Sequence, residues 1–455
     1  MADAQPSGEP QGRPAFLEPT LRIFLSVDIV GSTNFKQLIA AKAPEEPKPS
    51  GAEGAYHPGK KWLDPILQFY DQMAARFAHE WNMLAEAAER EFHWSVGNPP
   101  RLWKAVGDEL IFSKALGAHQ EAYVCVAAML KTVQGFRSTI KAHSSGLDLK
   151  CAAWIAGFPV NNAEVVLSSN ATDPAIYDDG DFIFANLSRL HDTRDDASAI
   201  RDYIGPSIDT GFRVASLASP RRFVLTVDLA LLLSAVSSAT PATAKSITPF
   251  SYYYHGRESL KGVTNGVPYP VFWIDSAASS PLKDIEDRLE GLTPVDASSV
   301  KEYCERYIER HEGSHIIRPY MVNDSDHLFK HMPEDHKSKL AALGHYWHLE
   351  QEKRRVEQQA AEVEPTCGDS PAADTDVPSP IEDVRKVITT LKNRPDPKGP
   401  LFDAISKYLD AQDSTVGAAL KELSLDAGAG AETPSRETDG PDPKNAPKAA
   451  NRWSA

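Results

Sequence analysis

Two aspartates stand where the chain could hold a hard metal ion against a phosphate. Asp28 closes the apolar run 21–28 and is followed by Ile29-Val30-Gly31-Ser32-Thr33. A carboxylate at a strand end suits Mg2+ or Mn2+, and the backbone N–H groups of a Gly-Ser-Thr turn can meet phosphate oxygens. Taken alone, Asp28 is better explained as a cap of the following helix. Asp108 lies in Trp103-Lys104-Ala105-Val106-Gly107-Asp108-Glu109, at the tip of a hairpin, where a Gly-Asp pair is ordinary turn chemistry. A hairpin lying beside the first strand would let the two carboxylates share a metal pair. Such a pair activates a hydroxyl and stabilises charge on a departing pyrophosphate.

The elements that must position these residues follow from apolar periodicity. Residues 21–28 form a buried strand, 62–92 a long amphipathic helix, 101–106 and 109–112 a hairpin about Gly107-Asp108, 118–143 a second long helix, and 147–156 another strand. Residues 160–200 look like an irregular acidic insertion. A short helix at 212–218, a strand at 223–226, a helix at 229–236 and strands at 252–254, 258–260 and 271–274 complete the set. Strand, helix, hairpin, helix, strand is an α+β, ferredoxin-like order. Four segments are expected: a disordered 1–18, a catalytic domain over 19–275, a helical C-terminal region over 276–425 and a disordered tail over 426–455.

Composition excludes several classes. The 455 residues carry 48 Lys plus Arg against 63 Asp plus Glu, a formal charge of -15, which argues against a general nucleic-acid or anionic-membrane binder. No run of about 18 apolar residues exists, and the N-terminus lacks the pattern of a signal peptide. The four cysteines are widely spaced without a CxxC, so a reduced, cytoplasmic protein without disulfides is expected.

Four patterns in order resemble the class III nucleotidyl cyclases. The first two are Phe24-Leu25-Ser26-Val27-Asp28-Ile29-Val30-Gly31-Ser32-Thr33 and the hairpin Lys104-Ala105-Val106-Gly107-Asp108. The third is Asp202-Tyr203-Ile204-Gly205-Pro206-Ser207-Ile208-Asp209-Thr210-Gly211-Phe212-Arg213, which matches Asp-x-x-Gly-x-x-x-Asn-x-x-x-Arg without a gap but has Asp209 in place of Asn. The fourth is Lys261-Gly262 after a short strand. The resemblance covers residues 20–275 and implies a class III cyclase catalytic domain with a helical extension. It implies two Mn2+ or Mg2+ ions per site, held by Asp28, Asp108 and the Ile29 carbonyl, with Gly31, Ser32 and Thr33 near the phosphates. Arg213 would stabilise the α-phosphate, Lys261 the terminal phosphates, and Lys150 would add a cation, although a surface strand-end lysine accounts for Lys150 as well. The two halves of each site would come from different subunits of a homodimer.

Lys104 and Asp202 occupy the base-reading positions, and a Lys/Asp pair is the adenine-type choice. Asp209, the wording Ile208-Asp209-Thr210-Gly211-Phe212-Arg213, an aromatic and Lys-bearing insertion at 56–62 and the C-terminal extension instead resemble the bacterial pyrimidine cyclases of Pycsar antiphage systems. That likeness implies a cytoplasmic enzyme making cyclic UMP from UTP to trigger a downstream effector, with Tyr56 or Trp103 filling the space a purine would take. A cytidylate cyclase, an adenylate cyclase and an inactive nucleotide-binding module are the alternatives. Two histidine pairs, His327/His331 and His345/His348, could share helix faces, but no Cys or carboxylate pattern accompanies them. Tyr346 and Trp347 suit a core or an interface.

Overall fold

The structure is a computed structural model that describes residues 14–40, 59–167, 181–240, 247, 249–278, 280–311 and 316–362. The chain divides into two compact units, Met1–Glu364 and Pro365–Ala455, and all described residues lie in the first.

Strand β1 (Thr20–Val30) is apolar on both sides, and Ile23, Phe24, Leu25 and Val27 are completely buried. Such a strand must be central. It pairs antiparallel with β3 (Glu109–Leu116) on one side and β4 (Asp148–Phe158) on the other. Strand β2 (Arg101–Val106) closes the hairpin onto β3, with a bulge at Trp103. Between the strands run α1 (Ser32–Ala40), α2 (Lys60–Phe92) and α3 (His119–His143). The order β1, helix, β2, β3, helix, β4, with neighbours β2-β3-β1-β4, is the ferredoxin-like arrangement expected from the sequence.

The sheet grows further on the β4 side. Strand β7 (Arg222–Leu225) adds parallel to β4, then β9 (Tyr269–Asp275) and β8 (Tyr252–Glu258) add antiparallel. One face is covered by α2, α3 and α6 (Val227–Ala239): Phe77 of α2 meets Phe112 of β3 edge-on at 5.0 Å. The other face carries one short helix, α5 (Pro206–Ala215), seated on Trp154 of β4. The site residues lie on this thinly covered face.

Several expectations change. The described residues within 160–200 are not irregular throughout. They hold β5 (Ala163–Leu167) and α4 (Phe182–Asp192), and β5 pairs with β6 (Ile200–Ile204) as a separate two-stranded sheet. The helix expected at 212–218 begins at Pro206, because Gly205 at φ 136 makes the entry turn and Pro206 fits a first helical position. The separate strand at 258–260 does not form; β8 runs unbroken from Tyr252 to Glu258.

Past 275/276 the described chain continues within the same compact unit. Beyond β9 come α7 (Pro281–Glu290), α8 (Ala297–His311), α9 (His327–Lys330) and α10 (Glu334–Glu362). Val300, Cys304, Tyr307 and Ile308 of α8 are buried in the same core as the sheet. His119, at the start of α3, bonds Asp324 through its ring at 2.9 Å and its backbone N–H at 2.7 Å, fastening the C-terminal segment to the sheet layer. At the other terminus, residues 14–18 belong to the ordered unit: Ala15–Leu17 form a 3-10 turn, and Leu17 packs with Phe184, Leu187 and Trp347. Tyr346 donates to Asp181 at 2.5 Å, so both C-terminal aromatics lie within the chain's own packing. The expected tail, and the expected helical region beyond residue 362, lie outside the described residues.

Candidate functional site

The end of β1 carries the first group. Register places Asp28 opposite Glu109 on β3 and opposite Lys150 on β4. Lys150 Nζ stands 3.0 Å from Asp28 Oδ2. The Ile29 N–H donates to the Asp108 carbonyl at 3.3 Å, which brings the hairpin tip against the end of β1. The Ser32 hydroxyl donates to the Asp108 carboxylate, and Lys36 Nζ approaches it at 3.7 Å. Tyr70 of α2 donates to the Gly107 carbonyl and pins the tip from behind. Asp28 caps no helix: α1 starts at Ser32, after Gly31 turns the chain at φ 82. A β-carbon on Gly31 would lie 2.3 Å from the Gly146 carbonyl oxygen, so this turn admits no side chain.

Burial raises the Asp28 carboxyl above its ordinary range, the Lys150 ammonium pulls it back in part, and the charge on Asp108 pushes it up again. Glu109 is raised in the same way, first by burial, against a hydrogen bond from Ser26. Asp28, Glu109 and Lys150 line a cavity of about 180 Å3 whose far wall is Phe212, Ala215 and Ser216, at the C-terminal end of α5. Hard oxygen donors from Asp28, Asp108 and the Ile29 carbonyl suit Mg2+ or Mn2+, and the ammonium groups of Lys150 and Lys36 already place positive charge against both carboxylates. Among the described residues, no group of three or more His, Cys, Asp and Glu is arranged to hold a metal ion.

A second group sits on β2 and β6. Lys104 Nζ bonds Asp202 Oδ1 at 2.6 Å, joining residues 98 apart in sequence. The ammonium also lies 4.0 Å from the centre of the Trp103 ring, a cation–π contact. Trp103, bulged out of the ladder, packs on Phe24 and Tyr203.

A third group lies along α5 and beyond. Arg213, in its last turn, is exposed and makes no ion pair among the described residues. Asp209, in its first turn, and Lys261 are also exposed. Asp209 and Gly262 border another, larger cavity. The structure thus joins Asp28, Asp108, Ser32 and Lys150, and separately Lys104 with Asp202. Arg213, Asp209 and Lys261 contact neither group within one chain. Thr33 is exposed beside Ser32, and Tyr56 lies outside the described residues.

Three participants were missed in the sequence. Glu109 directly follows Asp108, and only the β1–β3 register reveals that it faces Asp28. Lys36 is one turn beyond Ser32 on α1, a spacing that could have been read. Tyr70 had been assigned only to the apolar stripe of α2.

No family profile matches the chain, and no curated protein matches it. Among solved structures, it is similar to the adenylyl cyclase CyaB from P. aeruginosa, at 11% identity over 58% of this chain and 97% of that one, with a TM-score of 0.35. It is similar to the guanylyl cyclase Cya2 at 10% identity, over 58% and 95% of the two chains, with a TM-score of 0.32. The guanylate cyclase domain of RhGC from Catenaria anguillulae in complex with GTP is 12% identical, over 57% and 97%, with a TM-score of 0.29.

Proposed function

We propose that the chain is a metal-dependent nucleotidyl cyclase that converts UTP to 3′,5′-cyclic UMP and pyrophosphate. The observation that carries this proposal is the meeting of Asp28 and Asp108 at one end of the sheet, fixed by the Ile29 N–H on the Asp108 carbonyl at 3.3 Å. Two divalent ions held there would activate the ribose 3′-hydroxyl and neutralise the leaving pyrophosphate. The 3′-oxygen forms a bond to the α-phosphorus as the bond to the β-phosphate oxygen breaks.

The chain's own side chains orient the nucleotide. Lys104 and Asp202 present a donor and an acceptor to the base edge. Asp209 faces the ribose, Arg213 the α-phosphate, where charge builds, and Lys261 the terminal phosphates. Lys150 steadies Asp28, and the turn at Gly31, Ser32 and Thr33 offers N–H groups to phosphate. Arg213 and Asp209 are exposed and contact neither acidic residue of their own chain, which supports a homodimer in which each subunit completes the other's site. The indole of Trp103 against Lys104 takes up room beside the base-reading pair, which suits a pyrimidine. The cytoplasm, which supplies nucleoside triphosphates, is the compartment such an enzyme needs. Cyclic UMP acting on a separate effector in antiphage defence fits the sequence likeness to Pycsar cyclases.

An adenylate cyclase is the second reading, favoured by the 2.6 Å Lys104–Asp202 pair. Incubating the purified protein with each of the four nucleoside triphosphates and Mn2+ separates the two by product. Cyclic UMP is the expected product, and cyclic AMP would replace UTP by ATP. Asp28→Ala should abolish turnover; full turnover in that variant would refute the metal assignment.

A further inference from the structure

A cavity of about 790 Å3 opens far from Asp28. It is bordered by Thr20 on β1 and Gly157 on β4. The eight residue steps along β1 from Thr20 to Asp28 separate it from the acidic pair by roughly 26 Å of strand. Its other walls are the first turns of α5 and α6 and the C-terminal segment around Arg318, Tyr320 and His336. That volume suits a small organic ligand.

One side chain on its wall lacks the partners that burial demands, and a second is a carboxylate with no cation beside it. His336 is 2% exposed, and neither ring nitrogen has a hydrogen-bond partner. Burial first, and then the nearby Lys339, depress its pKa, so the ring is neutral and offers one donor and one acceptor. Asp228, in the first turn of α6, has no basic partner among the described residues; its carboxylate accepts from the Leu229 N–H at 2.9 Å. Buried polar groups in folded proteins are nearly always satisfied, so a ring left open on a cavity wall points to a ligand.

The charge on the wall selects the kind of ligand. Its two cations are already spent: Arg318 bonds Glu309 at 3.0 Å, and Lys339 bonds Asp335 at 2.7 Å. Asp228 remains without a cation. A wall with surplus negative charge repels phosphates and favours a cation. The buried rings of Tyr269 and Tyr320 offer aromatic faces to the same occupant.

We propose that this cavity binds a small organic amine, with an ammonium group paired to Asp228 and a polar group of the ligand meeting His336. Thr210 on the cavity wall and Arg213 lie about one turn apart on α5, so occupancy bears directly on the helix that carries Arg213.

The test is direct titration calorimetry on the full chain without nucleotide, so its outcome does not depend on the cyclase assignment. The probes are putrescine, spermidine and, as the anionic control, inorganic phosphate. Expected is one amine bound per chain, with affinity lowered at least about tenfold in the isosteric Asp228→Asn variant and also lowered in His336→Leu, and no phosphate binding. Should His336→Leu fail to fold, Asp228→Asn and protection of the wild-type thermal midpoint by the amine carry the test. The proposal is overturned if neither amine binds at millimolar concentration, if Asp228→Asn binds as wild type does, or if phosphate binds in their place.

Discussion

Gly211 is the point at which a single methyl group should separate the helix bearing Arg213 from its seat. A β-carbon there would lie 2.3 Å from Trp154 Cγ and 2.4–2.5 Å from two further indole carbons. The indole cannot yield: Trp154 is wholly buried, stacked on Phe24 at 5.7 Å and flanked by Phe212 at 5.3 Å. Ordinary contact begins at 3.4 Å, so relief requires a shift of 3.4 − 2.3, or about 1 Å, and it falls on α5. Overpacking of this kind costs about 1–3 kcal/mol. Each kcal/mol lowers the thermal midpoint by roughly 2–4 °C in a unit of this size class. Arg213 sits two residues further along the same helix, and a displacement of about 1 Å at a charge-stabilising group costs about 100-fold in turnover. Gly211→Ala should therefore melt several degrees early and turn over nucleotide about 100-fold more slowly. Thermal unfolding and a fixed-time assay of cyclic nucleotide formation measure both. A variant that melts early but turns over normally would detach Arg213 from the chemistry; one that does neither would refute the packing argument as well.

Mixing the inactive Asp28→Ala and Arg213→Ala proteins should restore turnover to about a quarter of wild type, since half of randomly paired dimers hold one intact site of two; a mixture as dead as its components would refute the shared site. Lys104→Glu should flatten the preference among the four nucleoside triphosphates by about 100-fold or more, because an acceptor in place of the donor at the base edge leaves a buried polar group unpaired; competition between labelled triphosphates reads this directly, and an unchanged preference would remove Lys104 from base reading. Asp228 gives a stability test with a definite sign. Burial raises its carboxyl from 3.8 to about 6. The folded state thus binds that proton more tightly than the unfolded chain, and stability falls as pH rises between those values. Asp228→Asn should gain on wild type by about 2–3 kcal/mol from about pH 4 to about pH 7. Urea unfolding at the two pH values would show it, and a constant difference would contradict a buried carboxyl.

The parts legible in the sequence were those whose burial repeats on a regular period. The unbroken apolar run of β1 and the apolar stripes of α2 and α3 identified the central sheet and its helical cover. Gly107-Asp108 marked the hairpin because only a turn accommodates that pair between two strands. Less legible were elements with little burial to advertise them: β5 and β6 form a two-stranded sheet of mixed polarity, so their pairing leaves little pattern in composition. The start of α5 was hidden by Gly205-Pro206, residues that usually end structure but here make a helix entry. The C-terminal helices were read as separate because of their charge, although Val300, Cys304, Tyr307 and Ile308 fall on one face and reach the main core. Within the candidate site, the contact between Lys104 and Asp202 followed from no spacing rule, and Glu109 became visible only through register.

The lysines beside the acidic pair have one more consequence. Asp28 and Asp108 each face an ammonium from their own chain, Lys150 at 3.0 Å and Lys36 at 3.7 Å. These built-in counterions relieve the mutual repulsion that would otherwise make assembly of the acidic end depend on dissolved salts. Chelation should therefore silence the protein without melting it, and adding the ion back should restore it at once. On the metal-dependent reading proposed above, a molecule wired this way responds to its supply of divalent cations as a switch rather than as a folding problem.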